Sequence, residues 1–251
     1  MAGKVAKKTT AKKLPYKRVL VKVSGERLAG LEGLKKGHDH EILDVGAIKE
    51  IAAELKGLQK LGVQVGVVIG GGNMIRGAEV AKMGIAPAQA HQMGMLATVI
   101  NALALQSMLE AQGVDTRVMS AVSVFAMCEP YIRRRAMRHM EKGRLIIFAA
   151  GTGNPFFTTD SAGALRAIEI GADLLIKASK VDGIYDRDPM KDKKAKHLSK
   201  ISYKDVLVDD LKVMDGAAVA LCREHKLPLM VCKVGQVSAA LAGKAKCTVV
   251  K

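Results

Sequence analysis

Gly151-Thr152-Gly153-Asn154-Pro155-Phe156-Phe157-Thr158-Thr159-Asp160-Ser161 is the stretch from which the rest of this chain is read. It follows an apolar run, Leu145-Ile146-Ile147-Phe148-Ala149-Ala150, whose length and composition predict a buried strand. It precedes a helical pattern from Ala162 to Ile170. A strand that ends in glycines and hydroxyl residues and then enters a helix is an anion-binding layout. Freed backbone N–H groups and the positive helix end attract phosphate. Thr152, Thr158 and Thr159 add hydroxyl donors, whereas Asp160 adds a carboxylate that a phosphate tolerates only with a cation between them.

Two other strand ends repeat the theme. Val63 to Ile69 reads as a strand, followed by Gly70-Gly71-Gly72-Asn73 and then Arg76. Glycines let a backbone approach a ligand closely, and an arginine grips phosphate through two hydrogen bonds. Val19 to Val23 is strand-like, with Ser24-Gly25 at its end. Alternation puts Lys22 on the Leu20 face, where its ammonium is buried unless it meets a charge. Three such ends suggest two phosphorylated ligands meeting at the carboxyl edge of one sheet.

The remaining pattern supplies that sheet. Strands are expected at Thr116–Met119, Asp173–Lys177, Leu229–Cys232 and Cys247–Val250, and helices at Ala47–Leu58, Ala88–Ala111, Ile132–Glu141 and Asp215–His225. The alternation predicts an α/β fold with a mainly parallel central sheet sandwiched between helices. Residues 1–15 are expected to form a basic, disordered tail, and residues 16–251 a single domain. Ser24 to Asp44 is too long and glycine-rich for an ordinary connector. His38 and His40 lie within it, but nothing nearby completes a metal site.

With 49% hydrophobic residues among 251, the chain can bury a full core. No run of apolar residues reaches the roughly 18 of a membrane span, and the N-terminal MAGKVAKKTTAKK has no apolar centre. Four cysteines without metal spacing are read as buried thiols of a cytoplasmic protein. The net charge of +16 comes partly from the tail and partly from Arg133–Arg144 and Lys191–Lys200. Such a surface draws nucleotides, nucleic acid or acidic partners. Nucleic acid is disfavoured, because 3% aromatics and no tryptophan leave little for base stacking.

Six motifs in order carry a resemblance: LVKVSGE, VGVVIGGGNMIRG, HQMGMLATVINALA, GTGNPFFTTDSA, KASKVDGIYDRDP and LKVMDGAA. From about Tyr16 onward the chain closely resembles the bacterial uridylate (UMP) kinases of the amino-acid-kinase superfamily. The resemblance implies an acceptor-binding N-terminal half and an ATP-binding C-terminal half. It implies catalytic roles for Lys22, Asp160 and Lys212, with Asp160 holding the lysines and the lysines facing the transferred phosphoryl group. For UMP it implies Gly71, Arg76, His91, Thr152, Gly153, Asn154, Pro155, Phe156, Phe157, Thr158 and Thr159. For ATP it implies Lys22, Val23, Ser24, Gly25, Gly72, Arg76, Ser179, Tyr185 and Asp188. Mg²⁺ is expected with ATP, bridging phosphates and held by no protein cage. The resemblance further implies a homohexamer activated by GTP and inhibited by UTP.

The chain departs from the family in two respects: its basic tail and extra positive charge, and one pair of residues. His91-Gln92 stands where Asp-His is usual, and that aspartate serves the UMP ribose. Other readings are another amino-acid kinase, such as acetylglutamate kinase, or a molybdenum-storage-like protein that binds ATP and metal oxide on the same fold. GTGNPFFTTD argues against the former. The absence of GxxxxGK[ST] excludes a P-loop kinase.

Overall fold

The computed structural model describes residues 14–29, 41–75, 80, 82–187, 189, 191–192, 194–209, 211 and 213–251. Most of the expected tail, His38, His40, Arg76, Asp188 and Lys212 lie outside the described residues.

One nine-stranded sheet is built from β1 (Arg18–Val23), β2 (Gln64–Ile69), β3 (Thr116–Ser120), β4 (Glu129–Pro130), β5 (Leu145–Ala149), β6 (Leu174–Ser179), β9 (Lys200–Ile201), β10 (Leu229–Lys233) and β11 (Cys247–Val250). Their order across the sheet is β4-β3-β5-β2-β1-β6-β10-β11-β9. Every neighbouring pair is parallel except β10–β11, as the alternating pattern predicts. A small antiparallel hairpin of β7 (Ile184–Tyr185) and β8 (His197–Leu198) stands apart.

Alternation along β1 divides the core in two. Val19, Val21 and Val23 face one side, with α1 (Val45–Lys60) and α2 (Pro87–Ala111), against Ile51, Leu55, Leu58, Val99, Ala102 and Leu105. Leu20 faces the other side, with α3 (Arg133–Glu141), α4 (Thr159–Glu169) and α6 (Gly216–Glu224), against Met140, Ala162, Ala164, Ala167 and Cys222. Two shorter helices, α5 (Tyr203–Val208) and α7 (Val237–Leu241), pack on α6 and α1 respectively. α2 is long and apolar enough to cross a membrane by length and composition alone. It packs here against α1, β3 and β5 and buries Ala97, Val99, Ala102, Leu105 and Leu109.

Helix ends differ from the periodic expectation where capping decides them. α4 begins at Thr159, three residues ahead of the expected Ala162, because the Thr158 hydroxyl accepts from the N–H groups of Asp160 and Ser161. α6 begins after Asp215, whose carboxylate accepts from the Ala218 N–H. The Ser24–Asp44 stretch opens with a 3₁₀ turn, Gly25–Ala29.

Candidate active site

The central strands β5, β2, β1 and β6 end side by side, and each end carries one of the expected motifs. The Val23 carbonyl accepts from the Gly70 N–H, which docks the end of β1 onto the glycine loop after β2. A Cβ on Gly25 would lie 2.4 Å from the Gly70 carbonyl oxygen and 2.8 Å from the Gly72 nitrogen. A Cβ on Gly71 would lie 2.7 Å from the Gly94 carbonyl oxygen on α2. These glycines are therefore required by backbone approach, with no ligand needed to explain them.

Asn101 of α2, fully buried, holds the same loop. Its Nδ2 donates to the Gly70 carbonyl at 2.7 Å and to Asn73 Oδ1 at 2.8 Å, and Asn73 Nδ2 donates back at 3.0 Å. Thr98, one turn earlier, accepts from the Ala150 N–H at 2.7 Å and so anchors the start of the 151–161 loop. That loop is conformationally strained: Ala150 and Phe156 have φ of 60° and 70°, alongside Gly151 and Gly153 at 57° and 84°. A non-glycine residue in this region costs on the order of 1 kcal/mol, and such residues gather at binding sites. Sequence reasoning missed Asn101 and Thr98. A buried amide and hydroxyl on the apolar side of a long helix were their only signal.

Between these loops and α2 lies a cleft of about 520 Å³. Of the expected acceptor residues, Gly71, His91, Thr152, Asn154, Phe157, Thr158 and Thr159 line it, as does Gly72 from the donor set. Gly153, Pro155 and Phe156 do not line it, although the Phe156 ring meets the His91 ring at 5.1 Å between centroids. Ile75, Ile85, Pro87, Ala90 and Met95 make the wall apolar. The hydroxyls are not equivalent. Thr152 Oγ1 bonds within its own loop to Asn154, and Thr158 Oγ1 caps α4 and donates to Asp215. Thr159 makes no side-chain hydrogen bond among the described residues, which leaves its hydroxyl for a ligand.

A cluster of charge sits under the strand ends. Lys22 falls on the Leu20 face as alternation requires and meets Asp160, with Nζ 3.0 Å from Oδ1. The pair is ionic only: Oδ1 accepts no hydrogen bond. Lys177 of β6 donates to Asp160 Oδ2 at 3.0 Å and to the Val213 carbonyl. All three side chains are deeply placed, 14–20% exposed. Burial pushes the Lys177 ammonium below its ordinary pKa, and Lys22 adds to this, while Asp160 and Asp215 oppose it. Sequence reasoning did not single out Lys177. The signal was present: Leu175 and Lys177 alternate on β6 as Leu20 and Lys22 do on β1.

Asp215 closes the cluster. It accepts from Ser161 Oγ at 2.9 Å, from Thr158 Oγ1 and from the Ala218 N–H. Burial raises its pKa, but these hydrogen bonds outweigh burial and hold it below the usual carboxylate range. The other expected donor residues are placed less compactly. Ser24 and Gly25 follow β1, Ser179 ends β6, and Tyr185 sits on the hairpin, donating to Asp182 at 2.6 Å. Among the described residues, no group of three His, Cys, Asp or Glu could hold a metal ion, and both Asp160 oxygens face lysines.

The amino acid kinase family model matches residues 17–233. The uridylate kinase of Methylococcus capsulatus is 57% identical over 219 residues, which is 87% of this chain and 89% of that one. The uridylate kinase of Rickettsia typhi is 51% identical over 241 residues, 95% of this chain and 96% of that one. Among solved structures, UMP kinase from Bacillus anthracis superposes with a TM-score of 0.88 at 37% identity, covering 94% of this chain and 96% of that one. The strand order, the glycine loops at the carboxyl edge and these likenesses agree, and the chain belongs to the amino acid kinase family.

Proposed function

We propose that this chain transfers the γ-phosphate of ATP to UMP, giving ADP and UDP. The observation that carries the reading is the Lys22–Asp160–Lys177 cluster lying next to a cleft lined by Thr158 and Thr159. Phosphoryl transfer needs positioning and neutralisation of charge more than covalent help. Two ammoniums share the Asp160 carboxylate at the strand ends, while the charge of Asp215 is taken up by Thr158, Ser161 and the Ala218 N–H, so the lysines are what the cluster offers an anion. Their charge suits the equatorial oxygens of a phosphoryl group in flight. The cleft falls in the size range of small-ligand pockets, roughly 300–1,000 Å³. Its apolar wall suits a pyrimidine ring. The Thr159 hydroxyl and the start of α4 suit the acceptor phosphate.

Other assignments belong to the same proposal. Arg76 would grip the UMP phosphate, Lys212 would be the second lysine on the phosphoryl group, and Asp188 with Ser179 and Tyr185 would hold ATP. Magnesium would arrive on ATP and be held by its phosphates, since Asp160 is committed to lysines. A homohexamer is supported by the exposed Met93, Leu96 and Ile100 on α2. GTP activation and UTP inhibition go with that assembly. Four free cysteines fit a reducing cytoplasm.

The test is an ADP-release assay with UMP, CMP and acetylglutamate offered as acceptors. Turnover with UMP far above the other two is expected. Turnover with acetylglutamate but not UMP would overturn the reading. ATP retention with bound metal oxide and no turnover would favour the storage alternative.

A further inference from the structure

We propose that Lys177 is a positioning residue of phosphoryl transfer: by occupying Asp160 Oδ2 and the Val213 carbonyl, it keeps the Lys22 ammonium free for the transferred group. The inference rests on the phosphoryl-transfer reading above and deepens it, giving Lys177 a role beyond its charge.

Lys22 and Lys177 are register partners on neighbouring parallel strands, and both point to the face that carries α4. Their contacts with Asp160 differ in kind. Lys177 is hydrogen-bonded twice, to Asp160 Oδ2 and to Val213. Lys22 is held only by charge, since Asp160 Oδ1 accepts no hydrogen bond. An ammonium has three N–H donors. Those of Lys177 are largely committed to protein, whereas those of Lys22 are available to an anion.

Removing Lys177 would change both the charge and the geometry. Lys22 would then face Asp160 and Asp215 as the one ammonium among these described charges, and their sum would turn negative. The freed carboxylate could take Lys22 into full hydrogen bonding and withdraw it from the ligand. The Val213 segment would also lose its bond to β6. That segment leads directly to Asp215, which is bonded to Thr158 and Ser161 at the start of α4. Lys177 thus ties β6, α4 and the approach to α6 together at a single nitrogen.

Three charged groups among the described residues act on Lys177. Asp160 comes from α4, Lys22 from β1 and Asp215 from the start of α6. The Cys222 thiol of α6, pushed up to about 11 mainly by burial, senses both acids. On the β10 side its register partner is Val231, which carries no charge. The positioning role needs the ammonium form. Burial favours loss of the proton, so the role fails as pH rises through a pKa below the ordinary 10.5.

The experiment compares the full chain with Lys177→Met and Lys177→Arg in steady-state UMP kinase assays from about pH 7 to about pH 10. For Lys177→Met, kcat is expected to fall by roughly 10²-fold, the size of one electrostatic contribution. KM for UMP should stay within about threefold, because Lys177 does not line the acceptor cleft. Lys177→Arg should recover about tenfold or more of the lost kcat. Its alkaline decline should move to higher pH than that of the unaltered chain, because a guanidinium keeps its proton. A merely structural lysine would not move that limb. A kcat for Lys177→Met within about threefold of the unaltered chain would overturn the inference. So would an alkaline limb left unmoved by Lys177→Arg. An unaltered chain that transfers phosphate to no nucleoside monophosphate would overturn the phosphoryl-transfer reading, and this inference with it.

Discussion

Thr158 and Asp215 are the N-caps of two different helices, and they are bonded to each other. Thr158 accepts from the first turn of α4 and donates its hydroxyl to Asp215, which accepts from the first turn of α6. The starts of α4 and α6 are therefore joined cap to cap, and Ser161 adds a second bond to the same carboxylate at 2.9 Å. Thr158 and Ser161 stand two residues before and one residue after Asp160, so whatever stabilises the joint also steadies the carboxylate that gathers Lys22 and Lys177.

Asp215→Ala should therefore destabilise the protein by about 1–3 kcal/mol at neutral pH, the sum of a lost cap and orphaned donors. The effect should depend on pH. The folded pKa of Asp215 lies below its ordinary 3.8, so its contribution is complete above that value. It is lost as pH falls through the depressed pKa. Urea titrations of both proteins at about pH 7 and about pH 3 would read this, with the difference shrinking at the lower pH. A difference that did not change with pH would mean that the carboxylate charge plays no part.

Lys22→Ala should lower kcat by about 10²–10³-fold while leaving a folded protein. Asp160 keeps Lys177 as its hydrogen-bonded partner, so no charge is stranded at the strand ends. Thermal melting establishes folding, and the ADP-release assay establishes turnover. Activity within about threefold of the unaltered chain would remove Lys22 from the mechanism.

Gly25→Ala is expected to be among the most damaging of the single-methyl changes. The new Cβ would lie 2.4 Å from one backbone atom and under 3 Å from two others, on Gly70 and Gly72. Backbone cannot swing aside as a side chain can, so the β1 and β2 loops must part. A loss of several kcal/mol, about 3 or more, and of turnover should follow. Gly216→Ala is the control: its Cβ would meet nothing within 4 Å, and stability should be unchanged or slightly higher. Equal melting temperatures for the two variants would refute the close-approach argument.

His91→Asp should tighten UMP binding by roughly three- to thirtyfold with ATP affinity unchanged. His91 lines the cleft between α2 and the glycine loops, against Phe156. A carboxylate there accepts from both ribose hydroxyls, whereas a neutral imidazole accepts from one. UMP titration of both proteins at saturating ATP and magnesium decides it. Equal affinities would place the ribose contact on another residue, with Gln92 the neighbour to try next.

Much of this was written along the chain because the physics involved is local. Alternation on β1 put Lys22 on the Leu20 face, and strand–glycine–helix punctuation marked the three loops at the carboxyl edge. The parallel α/β class followed from strands and helices taking turns. Capping shifted the helix starts by a few residues, because Thr158 and Asp215 act through side-chain bonds that periodicity does not register. What tertiary structure alone decided is which elements become neighbours. β1 lies between β2 and β6, far apart in sequence, and only that order makes Lys177 the partner of Lys22. Thr158 meets Asp215 across 57 residues, and the packing of α4 on α6 alone brings them together. Gly71 is forced by α2, and Gly25 by the Gly70 backbone. Periodicity reports the face on which a side chain lies. The partner waiting on that face is set by long-range packing, and the chemistry of this site depends on those partners.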